Sequence, residues 1–183
     1  MENLLLACKY CNTRKSNKTT SENKNDYLWP DENNTELAYT YAGGIPRVNS
    51  PILLELDPSG NIAQKAEKLF ELVELGNIPA PKDKDRRFKQ RIETYASARI
   101  SLKKWKKLKE TEYKEDSKEL IAEIVRSKGF FSVWLEVFKD EPEIKNMLFD
   151  IFPGTETRFF DADGNVRPIL HVEELEAATE AAT

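Results

Sequence analysis

Residues 2–18 read Glu2-Asn3-Leu4-Leu5-Leu6-Ala7-Cys8-Lys9-Tyr10-Cys11-Asn12-Thr13-Arg14-Lys15-Ser16-Asn17-Lys18, and they hold both cysteines of the 183-residue chain. A C-x-x-C pair presents two thiolates to one zinc ion, and the amide oxygen of Asn12 suits a second, harder cation. Structural zinc takes four ligands, so Cys8 and Cys11 supply half a site. The fold turns on whether this stretch is a metal finger, a redox strand-to-helix junction, or an apolar helix with two buried thiols.

Working outward, residues 5–16 predict a short helix carrying the cysteines. Ser16 to Asn34, rich in Ser, Thr, Asn and Lys, predicts a long irregular segment. Leu37–Tyr41 alternates and reads as a strand. Ile52–Leu56 reads as a second, with Gly43, Gly44 and Pro46 punctuating the connection. The period then changes: Ile62, Ala66, Leu69, Phe70 and Val73 recur at helical spacing, with Gly76 as C-cap. Pro79-Ala80-Pro81 is an internal break. Asp83 to Lys109 predicts a long amphipathic helix with Phe88, Ile92, Tyr95, Leu102 and Trp105 on its apolar stripe. Ser117 is placed to cap a helix running to Ser127, with Leu120, Ile121, Ile124 and Val125 facing inward. Phe130–Phe138 reads as aromatic core rather than a base-stacking platform. Pro142 opens a short helix, and Thr157–Leu170 reads as a hairpin turning at Asp163-Gly164. Asp161-Ala162-Asp163-Gly164-Asn165 has the composition of a calcium loop, but its ligand spacing and closing residue are wrong, which leaves a turn.

The composition, 39% hydrophobic and 33% charged, suits a soluble, helix-rich protein. No run approaches the roughly 18 apolar residues that span a bilayer, and Leu4–Ala7 is too short for a signal peptide. A cytoplasmic protein is expected, where a C-x-x-C is a metal or redox pair rather than a structural disulfide. The net charge of −4 hides an asymmetry: Lys82 to Lys109 holds twelve basic residues against Asp83, Asp85 and Glu93. Lys103, Lys104, Lys106 and Lys107 crowd one turn around Trp105. Such a band is either a solvated helix face or a surface for polyanions.

The stretch ENLLLACKYCNTRKSNK resembles the second half of an HNH endonuclease motif, in which a ββα-metal finger ends in an Asn-Leu turn and a helix bearing C-x-x-C-[HN]-x-x-K. Asn3-Leu4 matches the turn, Cys8 and Cys11 the zinc pair, Asn12 the third motif position and Lys15 the trailing basic residue. YLWPDENNTELAYTY and GFFSVWLEVFKDEPEIKNMLFDIFPGTETRFFD are similar to later segments of the bacterial anti-phage branch of that family. The resemblance implies Zn²⁺ as structural ion on Cys8 and Cys11, and Mg²⁺ or a similar ion at Asn12. It casts Asn12 and Asn3 as catalytic-site residues, Asn3 by pinning the turn, although Asn3 as a plain helix N-cap reads equally well. It implies phosphate contacts from Arg14, Lys15 and Lys18, and an ATPase partner. It also implies a catalytic His and another C-x-x-C ahead of the Asn-Leu turn, expected upstream of Met1. The chain's single histidine, His171, is far along the sequence and reads as a capping or surface residue.

The expected fold is mainly α with a small β contribution (α+β): a truncated ββα-metal finger and polar loop over 1–34, short strands and a helix over 35–78, and a helical region over 82–183. The expected function is an HNH-type nuclease acting on DNA or RNA phosphodiesters, here a short form without its catalytic His and therefore inactive alone. The alternative is a non-enzymatic, zinc-dependent module that binds nucleic acid or protein. A homodimer is expected if two Cys8/Cys11 pairs share one zinc. A thioredoxin-like redox pair is disfavoured, because no βαβ pattern follows.

Overall fold

The computed structural model describes residues 9–15, 18–30, 32–80 and 82–175, and of Lys9, Tyr10 and Asn12 the backbone alone. Their elements include a hairpin and the helices around it: α1 Lys9–Lys15, α2 Thr35–Ala38, β1 Tyr39–Ala42, β2 Ile45–Val48, α3 Ser50–Leu56, α4 Asn61–Leu72, α5 Arg87–Leu108, α6 Lys114–Lys128, α7 Phe131–Val137 and α8 Pro142–Ile151. The mainly helical fold with a small two-stranded sheet is as expected. No helix among the described residues is long and apolar enough to cross a membrane. The chain divides into two compact units: Met1–Thr40 with Pro46–Asp85 and Pro168–Thr183, and Tyr41–Ile45 with Arg86–Arg167.

The predicted strands shift. Leu37 and Ala38 end a single helical turn, and β1 begins only at Tyr39. The second strand is Ile45–Val48, whereas the segment containing Ile52–Leu56 is helix α3. Two local causes decide this. Gly43 and Gly44 both have positive φ (63° and 83°), which suits a two-residue hairpin turn and brings the return strand forward to Ile45. Pro51 then stands in the first turn of α3, where its missing N–H costs nothing. Asp57 stabilises the next helix start: its carboxylate accepts from the Ile62 N–H at 2.9 Å and from the Ser59 hydroxyl. The core of the first unit joins Leu28, Ala38, Leu53, Ala63, Ala66 and Leu170, with Tyr39, Val48 and Ile62 packed beside them. A second cluster joins Trp29, Leu69 and Leu72. Gly76 is not the C-cap of α4. The left-handed residue there is Glu74 (φ 50°), and the Leu75 N–H reaches back to the Phe70 carbonyl at 2.9 Å. Gly76 is instead needed for space, since a Cβ there would meet the Phe70 ring at 2.7 Å.

The second unit is built on α5, which packs against α6 and α7, while α8 packs against α6 and α7. The buried line of α5 shares Trp105 with the predicted apolar stripe, whose Phe88, Tyr95 and Leu102 are only half-buried. It is Arg87, Arg91, Thr94, Ala98, Ser101 and Trp105, whereas Ile92 and Ile100 are exposed. Small side chains at Thr94, Ala98 and Ser101 let neighbouring helices approach closely. The Thr94 hydroxyl is satisfied locally by donating to the Gln90 carbonyl at 2.8 Å. Helix α6 starts at Lys114, three residues before Ser117, which is buried inside the helix rather than capping it. The aromatic run forms core as expected: Trp134 and Phe138 are fully buried and stacked, and the Trp134 indole N–H donates to the Gly129 carbonyl at 2.9 Å. Over Thr157–Leu170 the expected hairpin reduces to one antiparallel bridge, Phe160 with Val166, around a turn at Gly164 (φ 69°).

Ion pairs join α6 to α8. Glu143 lies 2.8 Å from Lys114 Nζ and 3.4 Å from Lys118 Nζ. The Lys114 hydrogen bond holds its carboxyl below the ordinary 4.5. Asp161 and Asp57 are likewise held below 3.8, by backbone N–H donors of Asn165 for the first and by the Ser59 hydroxyl for the second. Carboxylates lowered in this way contribute stability above their unfolded pKa, and the contribution is lost as pH falls through their folded values. The urea midpoint is therefore expected to hold from neutrality down to about pH 5, given the ordinary carboxylate range, and to fall below pH 4. Glu143→Gln should make that fall shallower. A midpoint unchanged down to pH 3 would contradict these assignments.

Candidate functional site

The candidate metal helix is α1. Asn12 follows Cys11 on it, and Cys11 is half-buried. Asn3 and Cys8 lie outside the described residues, as does the side chain of Asn12. Among the described residues no three or more His, Cys, Asp or Glu side chains converge as metal ligands. Cys11 thus has no completed tetrahedral ligand set among the described residues.

What the structure does show is how α1 is anchored. Arg14 Nη1 lies 3.0 Å from Glu74 Oε1, at the left-handed residue that ends α4. Lys15 Nζ stands 4.5 Å from the centroid of the Trp29 ring, a cation–π contact worth roughly 0.5–1 kcal/mol in a partly exposed setting. Trp29 is itself fixed: it is buried against Leu69 and Leu72, and its indole N–H donates to the Lys24 carbonyl at 2.8 Å. Lys24 in turn pairs with Glu32. The Trp29 that sequence reading placed in an irregular loop is therefore the post against which the basic end of α1 rests. Arg14 and Lys15 both have packing partners, and Lys18 is exposed.

His171 returns to the N-terminal segment despite its distance in sequence. It forms an antiparallel bridge with Asn33, and the Val172 N–H donates to the Glu32 carbonyl at 3.1 Å. Buried Asn34 fastens the same crossing: its backbone N–H donates to the Leu170 carbonyl at 2.7 Å and its side-chain amide to the Ile169 carbonyl at 3.1 Å. Asn25, Glu32, Asn33, Lys65, His171 and Glu173 line one cleft of about 390 Å³. No periodicity links these residues, because four separate segments bring them together. Sequence reading therefore had no signal for the cleft.

The calcium-like loop is a turn, as expected. The Asp161 carboxylate accepts from the backbone N–H groups of Asp163 and Asn165 at 2.9 and 2.8 Å, and from the Asn165 amide at 3.0 Å. Lys145, almost completely buried, donates from Nζ to Asn165 Oδ1 at 2.7 Å. Burial pushes that ammonium below its ordinary pKa, with Asp161 and Asp163 opposing the shift. A tethered cation thus already serves this loop.

The basic band of α5 is open. Lys103, Lys104, Lys106 and Lys107 are all exposed, on either side of buried Trp105. Among the described residues none of the four is held in an ion pair or side-chain hydrogen bond. Arg99 is also exposed, one turn earlier. Comparison of the chain with protein-family models, curated proteins and solved structures finds no match.

Proposed function

We propose that this chain belongs to an HNH-type nuclease: its 183 residues grip DNA or RNA through the lysine band of α5 and do not cut by themselves. One observation carries the binding half of this reading, namely four clustered lysines exposed without internal partners. Clustered ammonium groups neutralise phosphates and release condensed counterions, and they need no metal site to do so. The motif of α1 supports the family half, with Cys11, Asn12, Arg14 and Lys15 in order on one helix. Hydrolysis at such a site needs a divalent ion to neutralise developing charge and an imidazole to activate water. Lone His171, bridged to Asn33, is not assigned that role. An ATPase partner belongs to the same proposal and rests on the resemblance alone.

Fluorescence anisotropy with labelled single- and double-stranded oligonucleotides tests the binding. Affinity should fall steeply as salt rises, and salt-insensitive binding, or none, would reduce the lysines to a solvated face. In parallel, the chain with Mg²⁺ or Mn²⁺ is expected to leave both DNA and RNA uncut above background. Metal-dependent cleavage lost in Asn12→Ala would overturn the inactive-alone reading.

Zinc follows the same logic. Two thiolates per chain make a tetrahedral Cys₄ site only across two chains. The expected content is at most one zinc per two chains, lost in Cys8→Ser, as measured by metal analysis after gel filtration. One tightly held zinc per monomeric chain would require further ligands, with His171 the first to test.

A further inference from the structure

Between α5 and α6 runs an open apolar groove of about 510 Å³, lined by Ile100, Lys104, Leu108, Tyr113, Leu120 and Ile124 among others. Three of these are large apolar side chains left well exposed: Ile100 at 60%, Tyr113 at 54% and Leu120 at 48%. Isolated exposed apolar residues are ordinary, but a contiguous set with polar edges marks an interaction surface. Charge on the two rims shows what fits there. At about 100° per residue, Lys107 joins the lining residue Lys104 on the rim of α5 beside Ile100, and Glu123 joins the lining residue Asp116 on the rim of α6 beside Leu120. All four charged residues are exposed. One wall is basic and the other acidic, at the same end of the hairpin, because a short turn over residues 109–113 makes α5 and α6 antiparallel neighbours.

We propose that this face binds a second copy of the same chain about a two-fold axis running along the groove. That rotation sets α5 of each copy over α6 of the other. It keeps the height along the groove, so the Lys104/Lys107 rim of each copy meets Asp116 of the other. Ile100 and Leu120 close the apolar centre between them. A two-fold axis across the groove would instead set α5 on α5, with lysines facing away from the carboxylates that match them. Isologous pairing needs one self-complementary patch, and a basic wall beside an acidic one satisfies that condition. The two readings share Lys104 and Lys107, which face the groove, whereas Lys103 and Lys106 point roughly 120° or more from its lining by helical geometry and stay open to phosphates in the dimer.

The test is sedentation-equilibrium mass measured in EDTA and reductant, which removes any zinc-bridged association. The parent chain should sediment as a concentration-dependent dimer, twice the 21.1 kDa chain. Lys104→Glu/Lys107→Glu should weaken self-association at least tenfold, and so should Asp116→Lys. Mixing the two variants should restore a dimer, because each wall then meets its opposite. The exposed single change Leu120→Asp should weaken it independently of charge pairing. A parent chain monomeric up to about 100 µM, a concentration set by the micromolar affinity expected of a modest interface, would overturn the proposal. A dimer unmoved by either reversal, or variants that stay monomeric when mixed, would do so as well.

Discussion

Trp105→Ala should destabilise the protein by about 3–5 kcal/mol, the range for removing a buried aromatic side chain from a core. Trp105 is 1% exposed, and it lies on the buried line of α5, the helix that packs against both α6 and α7. Two effects add. The ring leaves a void that neighbouring helices fill only in part. The indole N–H also donates to Glu141 Oε2 at 2.9 Å, and Glu141 is buried at the start of α8. The same oxygen accepts from Lys109 Nζ at 2.9 Å, a hydrogen bond that holds the Lys109 pKa above its ordinary value. Trp105→Phe separates the effects, since it keeps most of the ring and removes the donor. Its expected cost is about 1.5–3 kcal/mol, the range for a hydrogen bond to a charged group. Urea unfolding would show lower midpoints with an unchanged m-value. A Phe variant as stable as the parent would mean that the Trp105–Glu141 bond contributes nothing.

Reversing Lys103, Lys104, Lys106 and Lys107 to Glu should lower polyanion affinity at least 100-fold at about 50 mM salt while leaving the fold intact. Four phosphate contacts, available where the α5–α6 face is open, give a log–log salt slope near −3.6 for duplex DNA, at about −0.9 per contact, so the parent chain below its self-association range should lose about 100-fold between 50 and 200 mM. The slope should vanish in the variant together with the binding. All four side chains are exposed, and the buried Trp105 among them is untouched, so thermal unfolding should hardly move. Lys103→Glu/Lys106→Glu, on the side of α5 away from the groove, should weaken nucleic-acid binding and leave self-association alone. Asp116→Lys should weaken self-association without removing the lysines. If all variants bind as the parent does, the contact surface lies elsewhere, with Lys18 the next exposed candidate.

Element identity was legible wherever local chemistry was strong. The helices at Asn61–Leu72, Arg87–Leu108 and Pro142–Ile151 follow from period and proline placement, and the aromatic run at Phe131–Phe138 was legible as core. Faces were less legible than elements. Ile92 is expected on the apolar stripe by hydrophobicity, yet the helix turns Thr94, Ala98 and Ser101 inward, because close helix contact rewards small side chains over large ones. The second strand was misplaced because a Gly-Gly turn shortens a hairpin more than the apolar residues around it suggest.

For the candidate site, the sequence by itself determined which groups are available: two thiols two residues apart, Asn12 beside them, and a cluster of lysines around one tryptophan. Residue type and spacing are enough for that, since they set donor chemistry and the side of a helix. Only the tertiary structure decided which cations are already engaged. Arg14 is paired with Glu74, Lys15 rests on Trp29 and Lys145 is buried against Asn165, while the α5 lysines remain open. It also decided that His171 crosses to Asn33 and that α5 and α6 leave an apolar groove between walls of opposite charge. Those outcomes depend on pairings between residues tens of positions apart, where packing and backbone hydrogen bonding choose partners that no local pattern encodes.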